Sequence, residues 1–255
     1  MNIMEIQNVQ YAYDGKKKVL KGINTQMEQG KMYAILGPSG CGKTTLLSLL
    51  GGLDSPTSGQ ILYQGEDIAK TGLAGHRRSH VAFIFQSYNL IDYLTPMENV
   101  ALTSKLPPLP ILEQLGLTAE EAKRNVLKLS GGQQQRVAIA RALASDAQVI
   151  LADEPTGNLD EDTAAEITAI LKESAHKSGK CVVIVTHSNE LAKEADVILQ
   201  LRRGELQTLS VSDLEETASQ KRRAPKKSAI NLPVDESGDH KSQTLNAERD
   251  CCRKG

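Results

Sequence analysis

Residues 37–44, Gly37-Pro38-Ser39-Gly40-Cys41-Gly42-Lys43-Thr44, constrain this chain more than any other stretch. They follow a short apolar run, Tyr33–Leu36, and lead into an amphipathic one, Lys43–Leu50, so they read as the turn from a buried strand into a helix. The pattern is G-x-x-x-x-G-K-[ST], the phosphate-binding loop. Its glycines let the backbone curl until successive N–H groups face one anion, and the helix start adds partial positive charge. Lys43 is placed to reach the β- and γ-phosphates. The Thr44 hydroxyl is placed for Mg²⁺, and Thr45 follows on the same turn. A chance match arises in roughly one chain in a hundred of this length, so a nucleoside triphosphate site is expected.

Such a loop needs a second strand that ends in an acid. Val149–Ala152 followed by Asp153 and Glu154 supplies it. Asp153 is placed to hold Mg²⁺, directly or through water. Glu154 comes next, and because successive strand residues face opposite sides it is expected to point elsewhere. That suits a carboxylate that polarises an attacking water rather than one that binds metal. Val81–Phe85, Cys181–Val185 and Val197–Leu201 also read as buried strands, separated by the amphipathic stretches Gly132–Leu143 and Thr163–Ser174. The alternation predicts an α/β fold with a mainly parallel sheet. Ile3–Tyr13 and Val19–Glu28 read instead as an antiparallel hairpin added to the main sheet, turning at Asp14–Gly15.

Leu129-Ser130-Gly131-Gly132-Gln133, followed by Gln134-Gln135-Arg136, decides among the phosphate-loop classes. Ser130 and its two glycines open a helix, a second N-terminus suited to a phosphate. With these residues the chain resembles, over residues 1–209, the ATP-binding cassette (ABC) ATPases. The resemblance implies a P-loop NTPase fold: a RecA-like core sheet, an N-terminal antiparallel β subdomain and a helical subdomain at about 87–145. It implies that Ser130, Gly131, Gly132 and Gln133 meet the γ-phosphate held by the phosphate loop of a second subunit. Two nucleotides are then sandwiched between head-to-tail copies. By the same resemblance Tyr13 stacks on adenine; Tyr11 is the nearby competitor and is read as packing or facing solvent. Gln86 senses Mg²⁺ and leads toward a membrane partner, and His187 contacts the γ-phosphate. Gly157-Asn158-Leu159-Asp160 crosses the dimer interface. The remaining histidines, His76, His80, His176 and His240, match no motif and are expected at the surface.

Finer features point to one branch: Phe85-Gln86-Ser87-Tyr88-Asn89-Leu90-Ile91, Glu98-Asn99-Val100 and Asp153-Glu154-Pro155-Thr156. They resemble the macrolide-export, lipoprotein-release and cell-division group, which includes antimicrobial-peptide exporters. The resemblance implies an ATPase subunit that binds ATP and Mg²⁺, pairs with a second copy or a paralogous ATPase, and drives a separate integral membrane permease from the cytoplasmic face. A non-transporting regulator of a membrane partner would use the same residues. Soluble ABC ATPases of ribosomes or DNA carry two cassettes or long coiled coils, and neither is present. The chain departs from the family pattern between Val100 and Leu129, where only 28 residues (101–128) intervene. There Leu106-Pro107-Pro108-Leu109-Pro110 is expected to be non-helical, and Gln114–Leu129 to form the helix and loop leading into the signature.

Composition agrees with a peripheral protein. Thirty Lys and Arg balance 31 Asp and Glu, so no basic field points to nucleic acid. All six Tyr and two Phe precede residue 95, which leaves no later platform for stacking bases. Cys41, Cys181, Cys251 and Cys252 show neither zinc spacing nor a disulfide framework, which suits reduced thiols in the cytosol. The N-terminus lacks a signal-peptide pattern, and aliphatic runs such as Val182–Val185 are strand-sized. From Ser210 to residue 255 the chain turns polar. Roughly 215–255 reads as a disordered tail with room for a short helix at its start. Its basic run Lys221–Lys227 reads as a solvated charge run, and contact with anionic lipid or RNA is the less favoured reading.

Overall fold

A computed structural model describes residues 1–13, 17–157 and 159–214. The expected turn at Asp14–Gly15, Asn158 of the interface loop, His240 and the 215–255 tail lie outside the described residues.

The chain builds two sheets. In the first, β1 (Asn2–Tyr13) and β2 (Lys17–Glu28) pair antiparallel, and β4 (Ser58–Tyr63) and β5 (Glu66–Asp67) extend the sheet in the order β2-β1-β4-β5. The hairpin therefore does not extend the main sheet, because β1 pairs with β4, Met4 opposite Tyr63. β4 is hard to see in the sequence, being short and interrupted by Gly59. The second sheet has the order β10-β9-β3-β8-β7-β6. Its members are β3 (Met32–Leu36), β6 (Val81–Ile84), β7 (Val149–Asp153), β8 (Cys181–Thr186), β9 (Val197–Arg202) and β10 (Glu205–Leu209). All its pairings are parallel except β9 with β10. The expected mainly parallel α/β core is present.

Side-chain alternation assigns each face. Val149, Leu151, Cys181, Val183 and Val185 pack toward α1 (Lys43–Leu50) and the antiparallel sheet. Ile150, Ala152, Val182 and Ile184 pack toward α6 (Gly131–Leu143) and α7 (Glu161–His176). Helix α1 thus lies between the two sheets with Leu46, Leu47, Leu49 and Leu50 buried. Each contributes about 1.5–3 kcal/mol relative to exposure. That burial fixes where the phosphate loop ends.

The contact is tightest at the end of α1. A Cβ built at Gly51 would lie 1.8 Å from Cζ of Phe83 on β6. Gly51→Ala is therefore expected to destabilise the fold by about 1–3 kcal/mol through overpacking. Thermal melting should show a midpoint lowered by roughly 3–10 °C for a chain of this size. An unchanged midpoint would mean that Phe83 is free to move aside.

After β5 come α2 (Ile68–Thr71) and α3 (Leu73–Ser79). Here one expectation fails. His76 is 1% exposed, with Nε2 hydrogen-bonded to the Leu50 carbonyl at 3.0 Å and Nδ1 3.2 Å from His80 Nδ1. The His80 ring stacks on Tyr63 at 4.0 Å. These histidines join α3 to the end of α1 and to β4, and burial holds the His76 pKa below its usual value. His176 is half exposed and pairs with Asp196.

The helical subdomain contains α4 (Pro96–Ala101) and α5 (Leu109–Gln114). Thr95 and Glu98 form a capping box at α4. Contrary to expectation, the prolines do not exclude helix. Pro108 caps α5 and Pro110 sits in its first turn, where a missing N–H goes unused. The helix also lies before Gln114 rather than after it. Beyond Gly116, at φ 77, the chain makes only two 3₁₀ turns, Glu121–Lys123 and Val126–Lys128. After β8 comes α8 (Asn189–Lys193). Past β10, Leu214 is buried beside Ala34, Leu36, Ala192 and Ile198, so packed structure continues beyond Leu209. Among the described residues, no helix is long and apolar enough to cross a membrane.

Candidate functional site

The phosphate loop joins the end of β3 to α1. Gly40 at φ 73 and Gly42 at φ 107 take the left-handed conformation that bends the loop into a concave turn. The loop lines a groove of about 650 Å³ with Tyr13, Lys17, Lys18, Lys21, Cys41, Lys43, Thr44, Thr45 and Arg203 among its walls. Gly37, Pro38 and Ser39 form the start of the loop, with Pro38 and Ser39 exposed. The Lys43 ammonium is held by the carbonyls of Gly37 at 2.9 Å and Pro38 at 3.3 Å, so it is already centred in the loop.

Two residues 109 positions apart in the sequence meet at that loop. The Thr44 hydroxyl donates to Asp153 Oδ2 at 2.9 Å. A hydroxyl and a carboxylate are hard oxygen donors suited to Mg²⁺. Burial raises the Asp153 pKa and the Glu154 charge adds to this, while the Thr44 bond and Lys43 oppose.

Glu154 leaves the strand in a different way from the alternation expected of it. Strand β7 ends at Asp153, and Glu154 takes φ 48 with its N–H donating to the Val185 carbonyl at 2.9 Å. Glu154 therefore sits in a left-handed turn outside the strand, where strand alternation does not apply. Its Oε1 accepts from His187 Nδ1 at 2.7 Å, and the His187 ring is largely exposed. The two carboxylates thus have separate partners.

Tyr13 is 57% exposed, its hydroxyl 2.9 Å from Thr45 Oγ1 and its ring edge-on to Tyr11 at 5.0 Å. Tyr11 is buried and hydrogen-bonded to Asp54. Gln86 is exposed in the turn after β6. Ser130 caps α6: its hydroxyl accepts from the Gln133 N–H at 3.3 Å and its own N–H donates to Gln133 Oε1 at 2.9 Å. Gln133 also donates to Glu121 at 2.7 Å. Asp160 caps α7, accepting from the Thr163 N–H at 2.9 Å, which holds its pKa below the usual range. Ser130 and Gly131 are exposed, Gly132 is half-buried, and none of the three lines the phosphate-loop groove.

The structure brings Lys43, Thr44, Thr45, Asp153 and Tyr13 around one loop, and Glu154 with His187 beside it. It leaves the signature apart. Sequence reasoning missed the basic wall of Lys17, Lys18, Lys21 and Arg203. Its signal was the lysine run two residues after Asp14 and the Arg202-Arg203-Gly204 turn. Lys21 N–H donates to the Gly204 carbonyl at 2.8 Å, which joins the two segments.

The profile of the family described as ABC transporter matches residues 20–157. An uncharacterized ABC transporter ATP-binding protein of Bacillus subtilis (strain 168), YclH, is 45% identical over 215 residues, 80% of this chain and 95% of that one. The macrolide export ATP-binding/permease protein MacB of Escherichia coli (strain K12) is 41% identical over 220 residues, 80% of this chain but 34% of MacB. This chain thus spans about a third of that relative. Among solved structures, the dimeric bacterial ABC transporter cassette MJ0796 superposes with a TM-score of 0.76 at 36% identity, covering 82% of this chain and 99% of that one. MJ0796 has also been solved as a post-hydrolysis dimer bound to ADP and Pi, which superposes at 0.75. The chain belongs to the ABC transporter family, as an ATP-binding cassette of the ATPase type.

Proposed function

We propose that this chain is the ATPase subunit of an ABC exporter, closing as a pair around two MgATP to drive a separate membrane permease from the cytoplasmic face. The observation that carries the reading is the separation of the two phosphate sites. The loop groove has its lysine and its Thr44–Asp153 pair in place, while the capped, exposed start of α6 does not line it. A helix N-terminus with small residues is suited to a phosphate, and a second chain supplies the phosphate it lacks.

In this reading the loop amides and Lys43 hold the phosphates, with Tyr13 against the base. Thr44 and Asp153 would hold Mg²⁺, with Gln86 as its sensor, and the ion would supply charge neutralisation on the phosphates. Glu154 accepts a proton from the attacking water, and His187 steadies that carboxylate through Nδ1 and faces the γ-phosphate. Ser130 and Gly132 complete the site of the opposite chain, and Asp160 lies along the interface. The likeness to MacB, PvdT and the MJ0796 dimer supports the export branch and the pairing.

A site shared between chains makes hydrolysis depend on association. ATP turnover per chain is expected to rise with protein concentration from nanomolar to micromolar and then level off. Turnover per chain that stays constant across that range, with light scattering showing monomer throughout, would rule the shared site out. The polar composition of residues 215–255 gives a second expectation. Their removal should leave ATPase activity within about twofold and the melting midpoint within ~2 °C. A larger fall in either would mean that the tail packs on the cassette.

A further inference from the structure

The segment after β6 carries two consecutive non-glycine residues in the left-handed region, Tyr88 at φ 63 and Asn89 at φ 47. L-residues keep that conformation only where the surroundings over-determine it. The Tyr88 N–H donates to the Phe85 carbonyl at 3.1 Å and the Asn89 N–H to the Ser87 carbonyl at 2.7 Å, and one side chain holds the carbonyls of both residues. Arg141 Nη1 donates to the Asn89 carbonyl at 2.7 Å, and Nη2 donates to the Tyr88 carbonyl at 3.1 Å. Arg141 lies in the last turn of α6, and its own carbonyl accepts from Thr103 Oγ1 at 2.7 Å. The guanidinium is half-buried, and burial lowers its pKa from the ordinary value. No carboxylate pairs with it among the described residues, so its charge is directed at backbone oxygens.

The same segment also lies close to the other end of the helix. A Cβ built at Gly131, the first residue of α6, would lie 3.0 Å from the Tyr88 hydroxyl oxygen. The Tyr88 side chain therefore runs back along α6 to the signature, while its carbonyl is held at the helix's end. Gln86, two residues before Tyr88, and Ser130, the N-cap of α6, are mounted on one unit.

We infer that Arg141 is a positioning residue that makes the Gln86 turn and the Ser130 helix move as one body. The inference rests on the shared-site reading above. In that reading Gln86 faces the nucleotide on its own phosphate loop and Ser130 faces the one on the opposite chain. The Arg141 clamp then links the two nucleotides: closure at one site presents the signature to the other. Lysine would serve less well, because the planar fork of arginine spans both carbonyls and an ammonium reaches one.

The test measures kcat, KM for ATP and melting midpoint on the full chain. Arg141→Met should lower kcat by about tenfold or more, the scale of losing two charge-assisted bonds, with KM within twofold because the phosphate loop is untouched. Arg141→Lys should recover kcat only in part, to about threefold below the unaltered chain, since one carbonyl remains held. A kcat for Arg141→Met within twofold of the unaltered chain would overturn the inference. So would a joint fall of kcat, ATP affinity and melting midpoint, which marks a general structural role. Should Arg141→Met not fold, Arg141→Lys decides alone: a threefold lower kcat at constant KM supports the clamp, and an unchanged kcat removes it. The underlying reading is separated by Glu154→Gln with Arg141 intact. If that chain stays monomeric with MgATP, the shared site and the clamp fall together. If it dimerises while the Arg141 variants keep full kcat, the clamp alone is wrong.

Discussion

Lys43→Met should lower ATP affinity by about a hundredfold or more, from the loss of charge-assisted bonds to two phosphates at roughly 1.5–3 kcal/mol each. The methionine keeps the stem that packs below the loop and removes only the ammonium. That ammonium bonds the carbonyls of Gly37 and Pro38. Gly37 is half-buried and Pro38 exposed, so water can reach these carbonyls in place of the lost donor, and the melting midpoint should move little by comparison. Titration calorimetry with MgATP measures the effect. An affinity within threefold of the unaltered chain would mean that the loop amides alone carry phosphate binding, and the account of this site would need revision.

Glu154→Gln should separate binding from chemistry. The amide keeps the shape, and its oxygen still accepts from His187, yet it cannot take a proton from water. Turnover is expected to fall by about 10²–10⁴-fold, the usual worth of a positioned general base, while ATP affinity stays within threefold. Asp153→Asn should behave differently, because it weakens the oxygen pair facing Thr44. Its loss should appear in Mg²⁺-dependent ATP affinity as well as in turnover. If both variants lost affinity equally, the division of labour between the neighbouring carboxylates would be wrong.

How much of this was legible in the sequence depends on how local each signal is. The phosphate loop was readable because strand, glycine turn and helix are contiguous, and α1 begins at Lys43 as the pattern required. The Asp153–Glu154 pair was readable for the same reason, as four apolar residues followed by acid. What was not legible came from long-range packing. His76 and His80 resemble surface histidines until Tyr63 and the end of α1 close over them, because burial depends on partners distant in the chain. Glu154 was read as a strand residue, yet it takes a positive φ just past the strand with its N–H on the Val185 carbonyl. Pro108 and Pro110 were read as excluding helix, although their position in a first turn makes them compatible with one. The basic wall was missed because its two halves, Lys17–Lys21 and Arg203, come together only through the Lys21–Gly204 bond.

The central claim is that each nucleotide site is shared between the phosphate loop of one chain and the Ser130 helix of another. Light scattering on purified Glu154→Gln, with and without MgATP at tens of micromolar protein, tests it most directly. With hydrolysis stopped, bound nucleotide favours the paired state by mass action. The chain should move from monomer to dimer on adding MgATP, and adding Ser130→Arg should abolish the shift by blocking the start of α6. A Glu154→Gln chain that binds ATP yet remains monomeric, or one whose dimer persists with Ser130→Arg, would contradict the shared site.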